Sequence, residues 1–132
     1  MGGPNPVSEI YLDTHTAVFL HAGALELLGD EGKRRIEGGD LLISPMVLLE
    51  LDHLHAARKI RYDSTQIFTA LNATLGVSLC SLPFSDVAHE ALGITWTRDP
   101  FDRIIVAQAK IRNSPLVTRD REIRLHYPKA VW

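Results

Sequence analysis

The chain has 132 residues, close to the roughly 150 of a typical domain, so one domain around one core is expected. Hydrophobic residues at 45% and charged residues at 23% exclude a disordered or fibrous protein. The net charge of −2 argues against holding a polyanion by bulk attraction; yet residues 1–97 carry 6 basic and 12 acidic groups while residues 98–132 carry 8 basic and 4 acidic, so any contact with nucleic acid must be local.

Residues 1–7 are expected to be a flexible extension; they show neither the basic start nor the apolar stretch of a secretory leader, and cytoplasm is the expected compartment. Glu9 to Leu12 predicts a strand ending at Asp13, and Thr14 to Leu28 a helical region. Gly29 and the Gly38-Gly39 pair bracket a short exposed helix, Asp30 to Glu37, followed by a strand over Leu41 to Ser44. Pro45 opens a helix running to about Lys59, with Ser44 as its cap. Asp63-Ser64 opens the next, closed by Gly76, and Val77 to Leu82 alternates as a third strand. Ser85 caps a helix to Gly93; Asp99-Pro100 starts another over Phe101 to Arg112; Leu116 to Thr118 is a buried strand, and an edge strand is expected near Val131. Strands alternating with helices predict an α/β sandwich with a mainly parallel sheet, in which ligands bind beyond the carboxyl ends of the strands. No apolar run approaches the roughly 18 residues of a membrane span, since Leu41 to Leu51 contains Ser44, Pro45 and Glu50.

The single cysteine, Cys80, is expected to pack in the core, and no histidine spacing suits zinc. The acids are more informative. Asp13 and Asp120 follow the first and last strands, Glu50 interrupts an apolar helix, and Asp102 lies in the first turn of the Phe101 helix. Each has a plain structural reading: Asp13 and Asp99 as helix caps, Asp102 as partner in a capping-box-like start, Glu50 facing solvent, Asp120 in a turn. Jointly, converging carboxylates would repel one another unless a cation neutralised them, and Mg²⁺ suits such hard oxygen donors.

Four stretches carry a family resemblance: Tyr11-Leu12-Asp13-Thr14-His15, Ser44 to Leu51, Arg98-Asp99-Pro100-Phe101-Asp102-Arg103 continuing to Ala109, and Leu116-Val117-Thr118-Arg119-Asp120. Their order and spacing, from about residue 8 to 132, resemble the PIN-domain ribonucleases and, among them, the VapC-like toxins of toxin–antitoxin pairs. The resemblance implies a PIN-like α/β/α sandwich, an acidic quartet of Asp13, Glu50, Asp102 and Asp120, Thr14 and Thr118 as polar neighbours, and Asp99 as a supporting pre-helix acid, with Glu122 able to assist Asp120. It also implies a Mg²⁺-dependent endoribonuclease, with Mn²⁺ as the other metal, a cognate antitoxin and a homodimer. Arg98, Arg103, Arg119 and Arg121 flank the acids; their plain reading is exposed helix and loop charge, and their functional one a basic rim for single-stranded RNA. Trp96 is expected to pack in the core or at the rim, with base stacking as its alternative. A catalytically silent PIN-like RNA-binding or protein-interaction module is the alternative. A dehalogenase-like phosphatase is excluded by His15, which stands where that family has a second Asp, and a P-loop by the glycine spacing around Gly29 and Gly32 and by Arg34.

Overall fold

Ile10, Tyr11 and Leu12 form an apolar triplet with no polar alternation and are buried to 1% exposure or less, as a strand covered on both faces must be. They lie in β1 (Glu9–Leu12), the middle strand of the sheet. The computed structural model describes residues 8–132; the expected extension, residues 1–7, lies outside the described residues. After β1 come α1 (Thr14–His21), a 3-10 turn (Leu25–Leu27), α2 (Asp30–Gly38), β2 (Asp40–Ile43), α3 (Pro45–Ala56), α4 (Ser64–Leu75), β3 (Ser78–Leu79), α5 (Phe84–Leu92), α6 (Pro100–Ile111), β4 (Leu116–Val117), α7 (Arg121–His126) and β5 (Ala130–Val131). The strand order is β3-β2-β1-β4-β5, with every neighbouring pair parallel, and helices connect the strands as the expected α/β sandwich requires.

The chain moves outward from β1 to β2 and β3, then crosses back to add β4 and β5 on the other side. The direction of winding therefore reverses between β1 and β4, and the carboxyl ends of these two strands part into a crevice there. Asp13 and Thr118 immediately follow those two strands.

Local chemistry sets the helix starts. Ser44 Oγ accepts from Met46 N at 2.9 Å ahead of Pro45 at the first helical position. Asp63 and Gln66 form a reciprocal capping box on α4, and Gly76 closes that helix in the left-handed region at φ 68°. Cys80 is buried, as expected, and its Sγ accepts from Tyr11 Oη at 3.0 Å. Among the described residues no helix is long and apolar enough to cross a membrane.

Several expected boundaries move. The helical region after β1 divides at Gly23 (φ 69°), where Ala24 N donates to Phe19 O and Gly23 N to Leu20 O. The same pair of bonds ends α3 at Ala56 rather than Lys59, with Lys59 N on Leu54 O and Arg58 N on His55 O. Here Arg58 (φ 59°) occupies the left-handed position that glycine usually takes, so no glycine announces the stop. The third strand contracts to Ser78–Leu79 because only these residues pair with β2 before the chain leaves the sheet edge. Pro83, not Ser85, stands at the N-cap of α5. The short α7 after Asp120 was not expected, its six residues being too few for a periodic pattern.

Gly39, between α2 and β2, allows close approach to β1: a Cβ there would lie 2.3 Å from Ile10 Cγ1 and 2.9 Å from Ser8 O. Gly39→Ala is expected to cost about 1–3 kcal/mol by overpacking, read as a lower urea midpoint with an unchanged m-value.

Candidate active site

Asp13 is the deepest acid in the crevice, only 8% exposed. As N-cap of α1 its Oδ1 accepts from Thr16 N at 3.0 Å, and Thr16 Oγ1 lies 2.7 Å from the same oxygen and 2.9 Å from Val117 O. The Thr118 hydroxyl donates to Asp13 Oδ2. Both oxygens are thus held, one by the helix that follows β1 and one by the end of β4. Burial raises the Asp13 pKa above the usual carboxylate value, while the Thr118 and Thr16 hydrogen bonds and the nearby His15 oppose the rise. The cap reading holds for this residue, which also lines the crevice.

Glu50 lies half-buried on α3, where the Thr14 hydroxyl donates to its Oε1. Desolvation raises its pKa, with Asp99 and Asp13 adding repulsion and Thr14 and His15 opposing. On α6, Asp99 caps the helix by accepting from Phe101 N at 2.8 Å and Asp102 N at 3.2 Å. The reciprocal half of a capping box is missing, because Asp99 N donates to Thr97 Oγ1 at 3.2 Å. Asp102 is therefore released from capping, and it lines the same crevice as Asp13 and Glu50. Its pKa is pushed up to about 7, first by desolvation and then by the charges of Asp99, Asp120, Glu50 and Asp13. Asp120 caps α7 through Ile123 N at 3.0 Å, and its own N–H donates to Thr118 Oγ1 at 3.0 Å. One threonine hydroxyl thereby links the first and last acids of the set.

The crevice encloses about 320 Å³ and is lined by Asp13, Thr14, Glu50, Asp99, Asp102 and Asp120, with His15, Ile105 and Arg119 completing it. Of the expected basic rim, Arg119 lines this cavity, its guanidinium 5.0 Å from the Phe19 ring centre. Arg98 and Arg121 are exposed. Arg103 donates from Nε and Nη2 to Ala91 O at 3.3 and 2.9 Å, tying α6 to the end of α5. Trp96 stacks on His126 at 4.8 Å, and Glu122 faces His126 from the next turn. Sequence reasoning did not single out Thr16 or His15 for the site. The Asp-x-x-Thr spacing at Asp13 was a signal for Thr16, since a residue three positions into a helix faces its cap.

In donor chemistry the set fits a divalent cation: hard carboxylate oxygens face one cavity, and their mutual repulsion is what a cation would relieve. The side chains stand apart as they are, for among the described residues no three acids, histidines or cysteines are grouped closely enough to hold an ion alone. Such spacing suits an ion bound by one or two carboxylates, with water and phosphate oxygens completing its shell.

A five-stranded parallel sheet with an acidic crevice at its switch point defines the class, an α/β domain of PIN type. The PIN domain family model matches residues 10–127, and the chain belongs to the PIN-domain family. The fold is similar to a chain of a toxin–antitoxin complex from Klebsiella pneumoniae, at 18% identity and a TM-score of 0.64, covering 93% of this chain and 96% of that one. It is also similar to a chain of VapBC2 from Rickettsia felis bound to a DNA fragment from their promoter, at 15% identity and 0.61, over 93% and 96%. PAE2754 from Pyrobaculum aerophilum matches at 23% identity and 0.57, over 94% and 88%. At these identities the likeness is one of fold. No curated protein matches the chain.

The raised Asp102 pKa has a measurable sign. Between the ordinary carboxyl value of 3.8 and about 7 the native state binds more protons than the unfolded one, so stability falls as pH rises through this window. In chelator, Asp102→Asn is expected to be more stable than the parent at pH 8 by about 1 kcal/mol, after allowing for partial exposure. Urea titrations at both ends of the window check this, the difference vanishing near pH 4.

Proposed function

We propose that the protein is a metal-dependent endoribonuclease acting on single-stranded or loop RNA, and that it is the toxin of a toxin–antitoxin pair. The observation that carries this reading is the convergence of Asp13, Glu50, Asp102 and Asp120 on one crevice, with Asp102 pushed up to about 7 by its neighbours. One or two of these four acids at a time would hold Mg²⁺ or Mn²⁺, which when bound lowers the pKa of a water and offsets charge building on the phosphorane.

The chain's own groups do the rest. Thr16 and Thr118 fix both oxygens of Asp13, and Thr14 orients Glu50, so these two acids are positioned before substrate arrives. Asp99 supports the site by holding the first turn of α6. One of the carboxylates, Asp102 among the candidates, would accept the proton of the attacking water. Arg119 at the cavity wall binds a phosphate oxygen, and the exposed Arg98 and Arg121 draw the strand in from solvent; Arg103 serves by fixing α6. Hydrolysis breaks one P–O bond, and the leaving sugar oxygen takes up a proton. A cavity of about 320 Å³ favours an unpaired strand, whose phosphate reaches the acids without its complement.

The partner reading draws support from the structural neighbours, one a chain of a toxin–antitoxin complex and others chains of VapBC structures. An apolar groove of about 640 Å³, lined by Leu20, Leu25, Leu28, Ile36, Leu41 and Leu75, is the seat proposed for the antitoxin. Leu25 and Leu27 beside it are 54% and 46% exposed. Phe19 instead packs against Trp132 and beneath Arg119. A homodimer is proposed across a second apolar face, where Leu49 and Phe84 are 60% and 65% exposed. A groove between them is lined by Gln108, whose Oε1 is buried without a partner among the described residues.

Purified protein is expected to cleave single-stranded RNA with Mg²⁺ or Mn²⁺ and to stop in excess EDTA; undiminished cleavage in chelator rules the mechanism out. A metal titration by calorimetry separates this reading from a silent RNA-binding module, which would take up no ion at the acids. Asp13→Asn is expected to lower the cleavage rate by about 10²-fold or more while circular dichroism shows the fold intact. Co-expression with the product of the neighbouring small gene tests the pairing: a co-purifying complex with relief of growth inhibition is expected.

A further inference from the structure

The turn between α3 and α4 gathers unpaired positive charge in the acidic part of the chain. Of the six cations before residue 98, Arg34 and Arg35 pair with Glu31. Arg58, Lys59 and Arg61 are exposed and have no ion pair among the described residues. The flanking acids are turned to backbone groups, Asp52 accepting from Ser64 N at 3.3 Å and Asp63 from Gln66 N at 2.8 Å. The turn is shaped by Arg58 in the left-handed region and by the Lys59 N to Leu54 O bond, so the cations project from a defined loop. Tyr62 is 41% exposed, with the Arg61 guanidinium 5.5 Å over its ring and His21 edge-on at 5.1 Å. Together they border an open groove of about 750 Å³ whose apolar floor is Val18, Ile60 and Ile67.

This groove and the acidic crevice share a face of α1. His15 lines the crevice, while Val18 and Ala22, three and seven residues on, line the groove. Residues at that spacing stack on one side of a helix, about 10 Å from end to end. A strand leaving the acids along α1 therefore meets the cations one or two nucleotides later.

Resting on the nuclease reading above, we infer that the Arg58–Tyr62 turn is a second subsite for the substrate RNA, in which Arg58, Lys59 and Arg61 bind phosphates and the Arg61–Tyr62 platform stacks a base. Arginine planes and aromatic rings are the sequence-tolerant surfaces that unpaired bases use, and phosphates suit cations without internal partners. An acidic peptide would satisfy the same cations but leaves the exposed ring without a role.

The test is binding of a fluorescein-labelled single-stranded oligoribonucleotide of about 12 nucleotides, read by anisotropy in EDTA, where cleavage plays no part. The variant is Arg58→Asn/Lys59→Ala/Arg61→Ala; asparagine is chosen because it tolerates the left-handed backbone. Loss of three phosphate contacts is expected to weaken binding about tenfold or more and to flatten the salt dependence of log K by about 2. In Mg²⁺, KM for the same RNA is expected to rise with kcat retained, and Tyr62→Phe to behave as the parent. Unchanged affinity and salt slope overturn the subsite. So does unchanged RNA affinity with lost binding of a polyglutamate peptide, which assigns the groove to an acidic protein segment. Loop-dependent RNA binding in a protein that cuts nothing upholds the subsite and removes the nuclease reading; chelator-sensitive cleavage with loop-independent binding does the reverse.

Discussion

A carboxylate held in the crevice between β1 and β4 organises this protein. Asp13 is almost fully desolvated, a state that costs several kcal/mol for an unpaired charge, and three groups from two elements offset that cost: the Thr16 backbone and hydroxyl, and the Thr118 hydroxyl. The arrangement requires β1 and β4 to be neighbours, because Thr16 Oγ1 also reaches Val117 O and Asp13 N donates to Val117 O. Sheet order and site geometry are thus one constraint. A sheet wound in one direction from β1 would leave no crevice for the carboxylate to enter.

Around this fixed acid the others are arranged at a cost to the fold. Desolvation raises Asp13, Glu50 and Asp102 alike, and at Asp102 every named neighbour adds to the rise. Threonine hydroxyls steady two of the acids, and helix starts employ Asp99 and Asp120, but among the described residues the Asp102 side chain has no such engagement. Repulsion of this kind costs stability, and positive charge brought to the crevice would relieve it. The same residues serve both purposes at Asp13 and Asp120, where a cap oxygen is also a wall of the crevice.

Charge and apolar surface are divided over the rest of the molecule. Arg119 stands at the crevice wall, while the Arg58–Tyr62 turn lies further along α1. The exposed leucines beside α2 and the Leu49–Phe84 face lie on other surfaces, so the regions proposed for RNA, antitoxin and a second copy do not compete for the same side chains.

Much of this was legible in the sequence, because the signals concerned act over four residues or fewer. Ser44-Pro45, Asp63 with Gln66, Gly76, and Asp99-Pro100 each set a helix end through bonds to adjacent backbone. The apolar run of β1 pointed to a parallel sheet, and three acids after strands or in helix starts, with Glu50 inside an apolar helix, pointed to chemistry at its carboxyl edge. The chain could not by itself tell whether Asp102 would close a capping box, since that turned on whether Asp99 N–H found Thr97 instead. Nor did it mark the end of α3, where Arg58 adopts the conformation usually left to glycine. Which acids converge, how far each is desolvated, and that Thr118 joins Asp13 to Asp120 depend on β4 lying beside β1, a pairing across more than 100 residues that no local pattern encodes. Local hydrogen bonding writes the elements into the sequence; desolvation and long-range pairing, which exist only once the sheet has closed, make the site.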